Sequence, residues 1–313
     1  MGKLYDLVEF RNYLKDQLDD LCIDKFIEGS IDRLQTSKKL FPEHITYYDT
    51  KINDYLFLKQ KNNEIIAEFR NKISLLEIEI DQLSDTTYST EEYHNLFDEV
   101  SIQEPFGRKL IMSTELEDRI ESKVGRYCGY RYPALCINPR TKKWIHCMVA
   151  ADPLYITHWM IGTVNEMIDS YADIYKNRLR LYEIIDRDFK ILPQKQFSFV
   201  FCWDYLNYLS LSKVEKYIRE VWCLLRPGGS FIFSYSNCDM LGTSLQIENN
   251  ACAYANSRWL KKLCDEIGYE IIELHDIETG DAFYTHVSWA EIKKPGNLYT
   301  VKLNQSMGKI LSK

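Results

Sequence analysis

The chain has no C-x-x-C pair. Its nine cysteines are scattered over 313 residues, and their number is odd. A disulfide framework or a thiolate zinc site needs a different pattern. The expectation is buried thiols in a reducing environment. Also missing is any apolar run of about 18 residues, the length a membrane-spanning helix requires. The opening stretch MGKLYDLVEFRNYLKDQL is charged throughout and lacks the apolar core of a signal peptide. Gly2 follows Met1, but Asp6 stands where a myristoylation motif has Ser or Thr. No dense Lys/Arg block occurs, and the formal net charge is -7. Neither nucleic acid nor a membrane is therefore an expected partner. The expected location is cytoplasmic or within a virion.

What is present in quantity is tyrosine (22 residues), together with much Ile, Lys and Asn. That bias fits an AT-rich genome, many phages included, and says nothing about fold.

Residues 1–43 read as helical. Leu7, Leu14 and Leu21 recur every seven residues, with Val8 and Leu18 beside them. Glu28-Gly29-Ser30 is read as a break, with Ser30 capping the next helix. Over 44–84 the pattern sharpens. Ile52, Tyr55, Lys59, Asn62, Ile66, Phe69, Ile73, Leu76, Ile80 and Leu83 follow one another at alternating spacings of three and four, and no Gly or Pro interrupts. Spacing of about 3.5 keeps one stripe facing a partner helix, the signature of a coiled coil. The expected partner for 52–83 is a second copy or another helical protein. The competing reading is a long helix packed on its own chain. Residues 85–128 read as a polar linker with one short helix, in which Thr114 and Glu117 have capping-box spacing. Leu116, Ile120 and Val124 form its apolar stripe.

From 129 to 296 strand-like runs alternate with helical ones, and 297–313 is a tail. The strand candidates are PALCI, PLYIT, RLRLYEII, FSFVFC, SFIFSYS, YEIIEL and FYTHVSWAEI. Such alternation predicts a mostly parallel sheet covered on both faces. Only a short turn-rich gap separates the last two runs, so they should pair antiparallel. The clearest crossover is SLSKVEKYIREVWCLLRPGGSFIFS. Ser212 and Glu215 have capping-box spacing, and Val214, Tyr217, Ile218, Val221 and Trp222 share one face. Pro227 stops the helix, and Gly228-Gly229 permits a tight reversal into the fifth strand.

The stretches DRDFKILPQKQFSFVFCWDYLNYLS (186–210) and LLRPGGSFIFSYSN (224–237), in that order, resemble class I S-adenosylmethionine-dependent methyltransferases. The resemblance spans roughly 129–296. It implies an α/β, Rossmann-like, seven-stranded sheet, here preceded by the α-helical coiled-coil region. It also implies positions for the cofactor. The loop after the first strand, which would hold the methionine end through glycine backbones, is ALCINPRTKKW and contains no glycine. The acidic position falls on Cys136, and the three glycine positions fall on Asn138, Arg140 and Lys142. The residue that would hold the ribose hydroxyls is His158, with Asp152 as a rival ahead of the second strand. The adenine contact falls on Asp188 with Phe189 beside it. The loop after strand four, where transfer would occur, offers Asp204, Tyr205 and Asn207, with Asp204 as a candidate general base.

Glycine in such a loop permits positive φ and lets backbone N–H groups approach a ligand. Asn138 is the tolerable replacement, because Asn visits the left-handed region more readily than other residues; elsewhere that geometry costs about 1–2 kcal/mol per residue. Arg140 and Lys142 bring long side chains instead. Arg140, Lys142 and Lys143 could attract an anion or simply be solvated surface cations. His146, His158, His275 and His286 lack metal-ligand spacing, so no metal is expected. Cys136 and Cys147 read as small buried side chains, and Trp203, Trp222 and Trp259 as core. Two functions follow. One is an interaction or structural component of a larger assembly, such as a phage virion, with a degraded cofactor site, no cofactor and a coiled coil for assembly. The other is an active methyltransferase using S-adenosylmethionine on a sugar or other small molecule.

Overall fold

The computed structural model describes residues 3–20, 24–87, 114–129, 131–158, 161–169, 171–184, 189–248, 255–278 and 286–298. The chain divides into two units, Met1–Asp85 and Thr86–Lys313.

The first unit is helical: α1 (Lys3–Asp20), α2 (Asp24–Leu40) and the long α3 (Ile45–Thr87), with a short 3₁₀ turn at Pro42–His44 between α2 and α3. Glu28-Gly29-Ser30 does not break α2. Ser30 Oγ instead donates to the carbonyl of Phe26 at 2.8 Å, a bond along the helix that removes the need for a cap. Two ion pairs set the direction of α2 against α3. Lys59 reaches Glu28 at 2.6 Å, and Lys38 pairs with Asp49. Ten residues separate the partners on each helix, so the two run antiparallel in register. Farther along α3, Lys15 meets Glu77 at 3.0 Å and Lys3 meets Glu79 at 3.1 Å. These exposed pairs mark neighbours more than they stabilise them. The stabilising contact is apolar. Ile66, Ile73 and Ile80 of the heptad stripe are buried together with Leu4, Val8, Leu14 and Ile27. Asn62 on the stripe and Arg11 on α1 are buried as well. Each fully buried aliphatic side chain contributes about 1.5–3 kcal/mol. The chain thus covers these positions of its own stripe, because the turn at Pro42–His44 returns α3 along α2, while Ile52, Tyr55, Phe69 and Leu76 stay half-buried. The side chain of Leu83 lies outside the described residues, as does Leu21.

The second unit holds a seven-stranded mixed sheet. Its strands are β1 (Ala134–Ile137), β2 (Leu154–His158), β3 (Leu179–Glu183), β4 (Phe197–Cys202), β5 (Leu225–Tyr235), β6 (Glu270–Glu278) and β7 (His286–Lys293). Their spatial order is β3-β2-β1-β4-β5-β7-β6. Neighbours are parallel except that β7 runs antiparallel to both β5 and β6. All seven strand candidates lie on these strands, and the order is that of the class I methyltransferase fold. Helices α4 (Thr114–Tyr127), α5 (Lys142–Cys147), α6 (Ile161–Ile168), α7 (Asp173–Lys176), α8 (Leu211–Leu224), α9 (Leu241–Glu248) and α10 (Ser257–Ile267) complete the unit. Strand residues alternate between two cores. Val200, Phe231 and Phe233 join Val214, Ile218 and Val221 of α8 in one. Phe199, Phe201 and Trp203 join Leu116, Ile120 and Val124 of α4 and Trp144 of α5 in the other.

Two local expectations change. The Ser212–Glu215 capping box does not form. Leu211 already opens α8 with Ser210 at the cap position, and Glu215 instead binds Arg219 at 2.8 Å. Arg226-Pro227-Gly228-Gly229 is not a turn ahead of β5 but an irregularity within it. Leu225 pairs with Phe197 and Ser230 with Phe199, so the four residues between bulge out of the ladder. Gly228 has φ 79, and a Cβ there would lie 2.7 Å from the Leu298 backbone nitrogen. Its N–H donates to Lys294 O at 2.9 Å.

An ionic cluster fastens α4 to the β6–β7 edge. Lys123 binds Glu291 at 2.6 Å and also pairs with Glu273, which Arg119 meets at 2.6 Å. Tyr127 donates to Glu291, and its ring stacks on Phe199 at 5.0 Å. Burial pushes the Glu273 carboxyl up, but Lys123 and Arg119 pull it further down, leaving it below the ordinary carboxylate range. A carboxylate with a depressed folded-state pKa adds stability above its unfolded value and loses it as pH falls through the folded one. Glu273→Gln should therefore flatten the acid limb of the stability profile, measured by urea unfolding at pH 7 and at pH 3. Equal acid sensitivity in the two proteins would contradict this. Gly228→Ala should cost about 1–3 kcal/mol in the same assay at pH 7, since neither the backbone angle nor the space admits a Cβ.

Candidate functional site

In an open parallel sheet the chain leaves a crevice where strand order reverses, outside the carboxyl ends of the strands. Here that point lies between β1 and β4. Cys136 is level with Phe201 on β4, and Ile137 with Thr157 on β2. One step on, Asn138 therefore stands beside His158 and Trp203. Asn138 N donates to Thr157 O at 2.8 Å, extending the ladder past the end of β1.

Two residues at this edge adopt left-handed backbone. Asn138 has φ 43 and Asp204 has φ 55. Both are buried polar residues. Asn and Asp are the non-glycine types that tolerate this region best. Each turns its chain sharply over the sheet edge, and strained backbone of this kind gathers at functional sites.

The two turns are joined. Arg140 Nη1 lies 3.3 Å from the Asp204 carbonyl and 3.5 Å from Asp204 Oδ2. Its guanidinium also lies 5.0 Å from the Tyr208 ring centre. Both charged side chains are shielded, at 14% and 7% exposure, so the pair is not a solvated surface bridge. Behind it runs a buried polar chain. Asp204 N donates to Ser234 Oγ at 2.7 Å, and Ser234 Oγ donates to Asn207 Oδ1 at 2.7 Å. Asn207 O accepts from Ser236 Oγ at 3.2 Å, and Asp204 Oδ1 accepts from the Tyr208 hydroxyl at 2.9 Å. The β4 loop is thus held from β5 below and from Arg140 across the crevice.

Of the remaining sequence candidates, His158 stays at these strand ends and the other described ones pack elsewhere. His158 ends β2, buried, with its carbonyl accepting from Ile184 N at 3.2 Å. Phe189 opens a 3₁₀ turn and packs edge-on against Tyr217 at 5.3 Å, and its N–H donates to Glu220 at 3.1 Å. Asp188 lies outside the described residues. Asp152 precedes β2, at the opposite end of the strand from the crevice. Tyr205 is buried in the core, its ring 5.8 Å from that of Tyr217. Lys142 begins α5 with its ammonium 5.0 Å from the Tyr171 ring centre. Burial raises the Cys136 and Cys202 thiols well above their ordinary value, so neither is a ready nucleophile. Among the described residues no group of His, Cys, Asp and Glu is placed to hold a metal ion, and no helix is long and apolar enough to cross a membrane.

Ser234, Ser236 and Tyr208 were not singled out in the sequence. Ser234 and Ser236 are two residues apart on and just past β5, where alternation puts both beside the crevice. That spacing was the available signal. Nothing in the sequence marks the partnership of Arg140 with Asp204 across 64 positions.

No family model matches the chain, and no curated protein does. Among solved structures it is similar to the N-methyltransferase NodS from Bradyrhizobium japonicum WM9, crystallised with S-adenosyl-L-homocysteine. Identity is 12% and the TM-score 0.46, over 64% of this chain and 98% of that one. It is also similar to the [4+2]-cyclase SpnF, at 11% identity and TM-score 0.46 over 65% and 95% of the two chains. A third is magnesium protoporphyrin IX methyltransferase from Synechocystis PCC 6803, at 14% and 0.43 over 65% and 96%. The fold itself is carried by the strand order read from the hydrogen-bond ladders.

If the Arg140–Asp204 contact holds the two loops together, Arg140→Ala should lower stability by about 1–3 kcal/mol, because it leaves a shielded carboxylate without its cation. Arg140→Lys should recover less than half of that, since an ammonium lacks the planar face that lies near the Tyr208 ring and is more strongly hydrated. Urea unfolding measures both. A loss under 0.3 kcal/mol for Arg140→Ala, roughly the noise of surface substitutions, would contradict the role.

Proposed function

We propose that this protein is a methyltransferase-fold component of a larger assembly whose cofactor crevice has been given over to an internal contact. The observation that carries the reading is Arg140 crossing from the β1 loop to Asp204 in the β4 loop. A sulfonium cofactor in the place the fold reserves for it would need a glycine-lined backbone cradle there. Asn138 instead supplies a left-handed turn with a side chain, and Arg140 lies across the switch point. Reopening the crevice means separating a shielded ion pair, and a ligand would have to supply that energy from its own contacts. The residues in place do not fit the cofactor, and no chemical step is assigned to it.

The helical unit supports the assembly half of the reading. With Ile66, Ile73 and Ile80 buried inside, α3 still presents Leu56, Phe57, Leu58, Ile65 and Leu75, and α2 presents Phe26, each at least 43% exposed. Exposed apolar side chains in this number on a three-helix unit favour a second helical surface. A second copy offers one directly, since a two-fold dimer buries the same patch on both chains. A particle such as a phage virion would be one setting for it. The alternative is an active methyltransferase on a sugar or other small molecule. The buried chain Asp204–Ser234–Asn207 favours it, since it holds a carboxylate at the carboxyl edge where transfer would occur.

Sedimentation velocity tests the proposal. The wild type should sediment as more than one chain at tens of micromolar. Phe57→Glu with Leu58→Glu should return it to a monomer with unchanged helix content, because both side chains are exposed in the single chain. A wild-type monomer would overturn the assembly reading.

A further inference from the structure

Helix α3 carries a second heptad run, and this one is largely exposed. Leu58, Lys61, Ile65, Glu68, Lys72, Leu75 and Glu79 follow one another at alternating spacings of three and four. Each stands one residue ahead of a position in the first stripe, so the run occupies a face turned about 100° from it. Leu58, Ile65 and Leu75 are exposed large apolar side chains. Phe57 and Ile78, one position ahead of Leu58 and Glu79, flank the run and are exposed as well. The four charged members are roughly half exposed, and each already has an ion pair within the chain. Lys61 meets Glu64 at 2.7 Å, Glu68 meets Lys72 at 2.8 Å and Glu79 meets Lys3 at 3.1 Å. None of these pairs has to break for a further contact. An ammonium has three donors and a carboxylate about four acceptor sites, so each can add a partner from a neighbouring chain.

The order of charges decides how two such faces can meet. In a parallel, in-register pair every charge faces its own copy, Lys61 on Lys61 and Glu68 on Glu68, which is repulsive. An antiparallel pair with its two-fold axis level with Arg70 has no such clash. Ile65 then faces Leu75, Lys61 faces Glu79 and Glu68 faces Lys72, and the axis repeats each contact with the chains exchanged. Sliding one chain by a heptad sets Lys61 against Lys72 in one direction and Glu68 against Glu79 in the other. Exposed ion pairs add little to affinity, so the apolar side chains supply the attraction and the charges choose direction and register. We infer that two copies of this chain join antiparallel through this face of α3, centred at Arg70. The inference rests on the assembly reading above and names the contact that reading requires.

Charge reversal tests it by sedimentation equilibrium on the full chain. Lys61→Glu sets two carboxylate pairs against each other in the dimer and should raise the dissociation constant at least fivefold. Glu79→Lys should do the same with two ammonium pairs. Both changes in one chain should restore wild-type association, because residues about 27 Å apart along one helix can meet only through a second copy. Helix content by circular dichroism should match the wild type in all three. Cross-linking gives a second reading. A mixture of Ile65→Cys and Leu75→Cys chains should form a disulfide between the two introduced thiols on mild oxidation, identified by peptide mass spectrometry. Ile65→Cys alone should not cross-link to itself, since its two copies stand about 15 Å apart along the seam, beyond disulfide reach. A wild type that associates but is indifferent to Lys61→Glu, a double reversal that stays weakened, or an Ile65→Cys chain that cross-links to itself would overturn the inference and leave the assembly reading standing. A wild type that stays a monomer at tens of micromolar would overturn both.

Discussion

The site depends on the meeting of two tight turns at neighbouring strand ends, with Arg140 from one reaching Asp204 in the other. A parallel sheet always leaves a crevice where its strand order reverses, and something must fill it: water, a ligand or the protein's own side chains. A guanidinium suits the third solution. Its planar fork can address a carbonyl and a carboxylate together while its face lies near Tyr208. The cost is local. At this crevice two residues outside glycine hold positive φ, and their identities, Asn and Asp, are those that make such backbone tolerable.

The loops can change in this way because the sheet below does not rely on them. Phe199, Val200, Phe201, Phe231 and Phe233 are buried within β4 and β5, between two cores that α4, α5 and α8 close from opposite sides. A core of this kind stays folded whatever the β1 loop binds. The same independence explains why fold alone does not assign an activity here. The relevant differences occupy a few loop positions above an intact scaffold.

Much of the fold was legible in the sequence because burial imposes period. The seven strands showed as short apolar runs between helical stretches, and Leu116, Ile120 and Val124 showed as one helical stripe. The heptad run over α3 marked the face that is buried, at Ile66, Ile73 and Ile80. Its partner was not legible. A stripe states that something covers it, not that α1 and α2 of the same chain do. Local signals weaker than packing were overruled: Glu28-Gly29-Ser30 stays helical, and Ser212 does not cap α8. In the site, the absence of glycine from 134–144 was visible, and so was the suitability of Asn138 for a left-handed turn. The contact of Arg140 with Asp204 was not visible, since the two meet only after four strands have been ordered in space.

The central claim is that the Arg140–Asp204 contact takes the place of the cofactor. Calorimetric titration of S-adenosylmethionine into the wild type and into Arg140→Gly, side by side, tests it most directly. The account predicts affinity weaker than ~100 μM for the wild type and tighter binding to the variant, in which the crevice is cleared and the turn carries a glycine. Low-micromolar binding by the wild type would contradict it and restore the reading of an active enzyme.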